Sequence, residues 1–166
     1  ERLVDAMIPG MSVAANLSLA SGADLFTSRL GLWNGARERA VAQRFIGELG
    51  IKAEGPRTPC SALSGGNQQK VVLARWLCRD PRVLILDNPT RGIDAGAKEE
   101  IYALIRRHTA HGLAVILITD ELLELIGLSN RIAILRDRRV ATIVDAPPEA
   151  KPTERDLIAL MLSEDG

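Results

Sequence analysis

Between Leu63 and Asp94 the chain carries three devices that could act on a phosphate. The first is Leu63-Ser64-Gly65-Gly66-Asn67-Gln68-Gln69-Lys70, a serine hydroxyl and two glycines at the head of an apolar-periodic run. Glycine lets backbone approach a ligand closely, and the first amides of a helix have no internal partner. Together they form an anion site backed by the positive helix end. The second is Val83-Leu84-Ile85-Leu86-Asp87, a wholly apolar run ending on a carboxylate. Such a run predicts a strand buried on both faces of a parallel sheet, with Asp87 at its carboxyl end, where ligands of α/β sheets bind. A carboxylate there suits Mg²⁺, which takes one or two carboxylates plus phosphate oxygens. The third is Arg91-Gly92-Ile93-Asp94, which follows Asn88-Pro89-Thr90 and leads into another helix. Each has a plainer reading alone: a simple helix start, a strand-end cap and a helix N-cap for Asp94. Their joint order and spacing favour a phosphate site.

The elements that must position these residues follow from periodicity and punctuation. Ser12 can cap a short helix through Val13–Leu17, and Asn34 to Leu49 reads as a longer helix with Ala40, Val41, Phe45 and Leu49 on one face. Gly50 ends it, and Glu54 to Ala62, with Pro56 and Pro59, is a connector. Beyond it the pattern predicts helix Asn67–Cys78, strand Val83–Asp87, helix Ala97–His108, strand Ala114–Thr119, helix Glu121–Ile126 and strands Arg131–Leu135 and Arg139–Val144. In the second of these helices Ile101, Leu104, Ile105 and His108 share a face. Alternating strand and helix argue a parallel α/β sheet. Thr153-Glu154-Arg155-Asp156 reads as a capping box opening a last helix to Leu162. Trp33 and Trp76 are expected to be packing anchors, and His108 and His111 exposed helix-end residues.

Composition narrows the classes. The 166 residues predict one domain, and a 46% apolar fraction is ordinary for a globular protein. Formal net charge is zero with both signs interspersed, which leaves no electrostatic footprint for nucleic acid or an anionic membrane surface. Cys60 and Cys78 lack CxxC spacing and read as free thiols of a reducing cytosol. The longest apolar run, Leu113 to Ile118, is far short of the roughly 20 residues of a spanning helix, so a membrane role is expected to come through a partner.

With these motifs in view, the chain resembles the ABC ATPases from Met11 to about Leu162. LSGGNQQK is similar to their signature, VLILD to their Walker B strand and RGID to their D-loop. The NQQK ending and RGIDAGAKEEIY resemble the second ATPase half of the sugar-import subfamily, and they point away from relatives that act on ribosomes or DNA. The resemblance implies an α/β fold, a partial P-loop NTPase (RecA-like) core with an N-terminal helical subdomain. It divides the chain into a helical subdomain and connector (1–62), a core with signature, Walker B, D-loop and switch strand (63–145), and a terminal linker and helix (146–166). It implies ATP and Mg²⁺ as cofactors. Ser64, Gly65, Gly66 and Gln68 are expected at the γ-phosphate held by a partner half, Asp87 at Mg²⁺ through water, and Asp94 at the coupling of the two sites. The implied partners are a first ATPase half or second copy, a transmembrane permease and, indirectly, a periplasmic sugar-binding protein. The implied location is the cytoplasmic face of the inner membrane.

The pattern also has departures. Where the family has a catalytic glutamate after Walker B stands Asn88, whose amide cannot act as a base. Where it has a histidine after the next strand stands Asp120, an anion that repels phosphate unless protonated or metal-bound. Asp120 weighs less, because sugar-import second halves often lack that histidine. No G-x-x-x-x-G-K-[ST] occurs. Gly50 to Gly55 has the glycine spacing, but Pro56-Arg57 follows, with neither lysine nor hydroxyl. The expectation is therefore the carboxyl-terminal part of a longer protein, with a gap in its sheet. A regulatory half that binds ATP without hydrolysing it is the alternative.

Overall fold

The computed structural model describes residues 6–162. They form two compact units, the chain up to Leu84 with Thr90–Val115, and Ile85–Pro89 with the chain from Ile116.

The first unit is helical: α1 (Val13–Ser18), α2 (Gly22–Leu25), α3 (Gly35–Glu48), α4 (Gly65–Leu77) and α5 (Ala95–Ala110). Ser12 caps α1 by accepting from the Ala15 amide at 3.2 Å, as expected. Asn34 caps α3 through Arg37, and Gly50, at φ +58°, lets the chain leave α3 in the left-handed region. The buried face of α3 is Ala42, Phe45, Ile46 and Leu49 rather than the expected Ala40, Val41, Phe45 and Leu49. The observed set fits i, i+3, i+4, i+7, the spacing that one helical face requires. Helix α4 begins at Gly65, two residues before the expected start, and α5 at Ala95, directly after its N-cap Asp94.

Helix α4 is the hub of this unit, packing against α1 and α5. Val71 and Ala74 of α4 are fully buried, as are Val13 and Leu17 of α1 and Ile101 of α5. Two buried cations strap the helices. Arg75 donates through Nε to the Asn16 carbonyl at 2.7 Å and through Nη1 to the Ala6 carbonyl. Asn16, itself buried, accepts from the Ile8 amide and donates to the carbonyls of Ile8, Met11 and Ser12. Lys70, 3% exposed, donates to the Gly50 carbonyl at 3.0 Å and to Glu100 Oε2 at 2.6 Å. A buried ammonium survives only when paired and hydrogen-bonded, and both conditions hold. Cys60 and Cys78 are free thiols, each pushed upward in pKa first by burial.

The second unit holds α6 (Leu122–Leu128), β3 (Arg131–Arg136), β4 (Arg139–Asp145) and α7 (Glu154–Leu162). β3 and β4 form an antiparallel hairpin with a register shift at Ile134/Leu135. Its turn residues Asp137 and Arg138 both have positive φ (+50° and +64°), as a type I′ turn requires. Ile132, Ala146 and Leu157 make the core, with Leu122, Leu125, Ile126 and Val144 against it. The expected capping box opens α7: Thr153 Oγ1 accepts from the Asp156 amide at 3.2 Å, and Asp156 Oδ2 accepts from the Thr153 amide at 2.9 Å.

Strands β1 (Val83–Asp87) and β2 (Ala114–Ile118) pair with each other. The Ala114 amide donates to the Arg82 carbonyl at 3.0 Å and the Asn88 amide to the Ile118 carbonyl at 2.7 Å. Start meets start and end meets end, so the pair is parallel. Two expectations are corrected here. The described residues form two two-stranded sheets, one of them antiparallel, rather than one parallel sheet. β1 is also buried on one face only: Leu84 and Leu86 are covered, while Val83 and Ile85 are 54% and 63% exposed. An all-apolar strand needs cover on both faces, and among the described residues one face of β1 has none.

The Lys70–Glu100 pair yields a pH test. The Lys70 hydrogen bond, reinforced by its charge, holds the Glu100 carboxyl below its ordinary value of 4.5. A carboxyl whose folded pKa is depressed contributes stability above its unfolded pKa and loses it as pH falls through the folded pKa. Glu100→Gln should therefore lower the thermal midpoint at about pH 7, and the difference from the wild type should close below the carboxylate range. Unfolding scans across pH check this; a difference that stays constant with pH contradicts the pairing.

Candidate functional site

In the first unit the candidate residues gather where α4 and α5 begin. Ser64 is the N-cap residue of α4, exposed, and its side chain makes no capping bond to backbone. Gly65 and Gly66 open the helix. A Cβ on Gly65 would sit 3.6 Å from Ile93 Cγ2, an ordinary contact. A Cβ on Gly66 would stand 2.5 Å from the Ala97 Cβ, a clash. The second glycine is therefore demanded by helix packing, which the sequence reading did not foresee. Asp94 caps α5, accepting from the Ala97 amide at 3.0 Å. Its carboxylate thus holds the helix that Gly66 packs against. Gln68 turns its side chain back: Nε2 donates at 3.0 Å to the Cys60 carbonyl and at 3.0 Å to the Leu63 carbonyl. That amide nitrogen braces the loop before the helix.

In the second unit three candidates are joined by hydrogen bonds at the ends of β1 and β2. Asn88 Nδ2 donates to Asp87 Oδ1 at 2.8 Å, and Asn88 Oδ1 accepts from the Asp120 amide at 3.4 Å. Asn88 has φ +48°, a left-handed conformation that asparagine tolerates better than most non-glycine residues. A glutamate here carries a backbone cost that the asparagine avoids. Asp87 lies at the carboxyl end of β1, exposed. No group of three or more His, Cys, Asp or Glu able to hold a metal occurs among the described residues. A single strand-end carboxylate fits Mg²⁺, which completes its shell with water and phosphate oxygens. The donors at the start of α4 likewise fit a phosphate.

Some expectations are corrected. Trp33 and Trp76 are 50% and 48% exposed and do not anchor the core. The Trp33 ring lies tilted against the buried Phe26, with centroids 5.9 Å apart, and its indole N–H donates to Glu38, so it covers Phe26 from outside. His108 is half-buried rather than exposed, and burial first, then Arg107, lowers its pKa. Sequence reasoning used Asn67 and Lys70 only as part of the NQQK ending and gave no structural role to them, to Arg75 or to Asn16. The only available signal was a polar residue at helical spacing with core positions, as Lys70 and Asn67 stand to Ala74 and Val71.

Comparison with known proteins shows the family and the fold. The sequence profile of the family described as "ABC transporter" matches residues 3–91, more than half of the chain. The chain belongs to the ABC transporter family. Among curated ABC proteins it is 45% identical over 145 residues to a ribose import ATP-binding protein of Geobacillus kaustophilus, covering 87% of this chain and 29% of that one. It is 45% identical over 140 residues to a xylose import ATP-binding protein of Pectobacterium atrosepticum (84% and 27%). It is 44% identical over 162 residues to an arabinose import ATP-binding protein of Azospirillum brasilense (98% and 30%). The chain thus spans under a third of the length of these relatives. A solved dimeric ATP-binding cassette in a post-hydrolysis state with ADP and phosphate superposes with TM-score 0.66 at 24% identity, over 84% of this chain and 59% of that one. This ABC fold is α/β, a partial ABC ATPase core, as expected. No helix of the described residues is long and apolar enough to cross a membrane.

Gly65 and Gly66 can be told apart. Gly66→Ala should destabilise the chain by about 1–3 kcal/mol, the usual cost of overpacking. Gly65→Ala has room for its methyl, so its cost should be much smaller. Denaturant midpoints of the two variants check this; equal losses would mean that the α4–α5 approach is not the constraint.

Proposed function

We propose that this chain is part of the ATP-binding component of an ABC importer for a sugar, working with a permease and an external sugar-binding protein. The observation that carries the reading is the start of α4, where Ser64 is exposed and its side chain leaves the first helix amides uncapped. The ribose, xylose and arabinose import names of its relatives support the sugar class. In this reading residues 1–62 are the subdomain that meets the permease, 63–145 the catalytic core, and 146–166 a terminal linker and helix. Ser64, Gly65, Gly66 and Gln68 close on the γ-phosphate of an ATP held by the first ATPase half or a second copy. Asp87 holds Mg²⁺ through water at this half's own nucleotide, and Asp94 couples the two sites. ATP and Mg²⁺ supply the phosphoryl group and its charge neutralisation. The residues of this chain contribute positioning and hydrogen-bond donors. The location is the cytoplasmic face of the inner membrane, held there by the permease, and no nucleic acid is involved.

A second reading rests on Asn88. Its amide donates to Asp87 and accepts from the Asp120 backbone, so both polar atoms are engaged and neither is basic. This favours a regulatory half that binds ATP without hydrolysing it at its own site, while its signature serves the site opposite.

One assay separates these readings. In the full-length protein with its permease, Ser64→Arg places a bulky cation where the phosphate docks and should abolish steady-state ATPase and transport. Asn88→Ala should change both by less than about tenfold, below the roughly 10²–10⁴-fold worth of a working general base. Equal damage from the two substitutions means that this half's own site does chemistry.

A further inference from the structure

We propose that Asn67 is a positioning residue that turns the Ser64 hydroxyl outward as a hydrogen-bond donor for phosphate. The inference rests on the reading that Ser64 meets a phosphate, and it adds how the chain prepares that serine.

The side chain of Asn67 is buried and bonded at both ends. Its oxygen lies 2.8 Å from the backbone amide of Lys52, and its nitrogen 2.7 Å from Ser64 Oγ. The Lys52 N–H can only donate, so the atom facing it must be the carbonyl oxygen of Asn67. That settles which way the amide points. The nitrogen then faces Ser64 and must donate, so Ser64 Oγ accepts. A hydroxyl has one hydrogen, and here it cannot lie along the line to Asn67. Among the described residues no acceptor takes it: the serine makes no capping bond and its side chain faces solvent.

Two consequences follow for an anion at this end of α4. The serine hydrogen is free to be donated to an incoming oxygen, and the hydroxyl's rotation is restricted before the ligand arrives. Ser64 Oγ is also drawn away from the backbone. A serine N-cap ordinarily folds over the amides of the first turn and occupies one of them. Held by Asn67, it leaves those amides uncapped by its side chain. Lys52, whose amide fixes Asn67, lies just beyond Gly50, whose carbonyl Lys70 holds. The orientation of the serine is thereby tied to the end of α3.

The test is a double-substitution cycle on kcat of the full-length protein with its permease, reading Ser64→Ala, Asn67→Ala and the pair, with thermal midpoints as a folding control. Ser64→Ala should lower kcat by about 10–100-fold, the worth of a hydrogen bond to a charged group. Asn67→Ala should lower it by about three- to tenfold, because a freed hydroxyl spreads over three staggered positions and can cap the helix instead. With alanine already at Ser64, Asn67→Ala should cost nothing further. An equal loss in both backgrounds would show Asn67 acting on the fold and overturns the proposal. So does an Asn67→Ala variant with wild-type kcat. If Ser64→Ala itself leaves kcat unchanged, the phosphate reading of Ser64 falls, and the proposal with it. Should Asn67→Ala fail to fold, Asn67→Asp retains the acceptor for Lys52. Its carboxylate would take the serine hydrogen, so it should lower kcat at least as far; unchanged kcat there overturns the proposal.

Discussion

The close approach of α4 and α5 at Gly66 is the constraint on which the first unit depends. With 2.5 Å between a notional Cβ and the Ala97 side chain, only glycine permits the contact. That contact sets the start of α4 against the start of α5, which Asp94 caps. On the proposed phosphate reading, Gly65 and Gly66 would both serve close backbone approach to a ligand. In the structure Gly66 is first a packing residue, demanded by the approach of α4 and α5.

Buried polar groups then hold α4 in place. Lys70 reaches the carbonyl that α3 leaves exposed at Gly50 and, on α5, the carboxylate of Glu100. Arg75 reaches backbone carbonyls at and before α1. Apolar contacts alone would let a helix slide or rotate, since the hydrophobic effect has no direction. Hydrogen bonds from a buried cation tolerate little displacement, because leaving one unmade costs the full desolvation of the group. Such fixation holds the first turn of α4 in one orientation, and hydrogen-bond donors act best on charge when already aimed.

The ends of β1 and β2 show a different economy. Asn88 stands in the left-handed region and uses both polar atoms of its side chain, one on Asp87 and one on the Asp120 amide. Asparagine is suited to that backbone in a way glutamate is not. The asparagine at this position is therefore matched by its local geometry. The residue is fitted to bracing Asp87, and a neutral amide there keeps the strand-end carboxylate hydrogen-bonded.

The sequence by itself determined the elements and the family. The LSGG–LDxPT–D spacing, the capping residues Ser12, Asn34 and Asp94, the left-handed Gly50 and the Thr153–Asp156 box are local signals, and local hydrogen bonding makes them legible. It placed Ser64, Gly65, Gly66 and Asp94 at helix starts and Asp87 at a strand end. What it misjudged depends on neighbours distant in the chain. The bare face of β1 and the exposed tryptophans are matters of which elements cover which. The clash that makes Gly66 obligatory comes from Ala97, and the bond that orients Asn67 comes from Lys52. Only tertiary structure decides such pairings, because a side chain's partners are set by the crossing of helices and not by its own spacing.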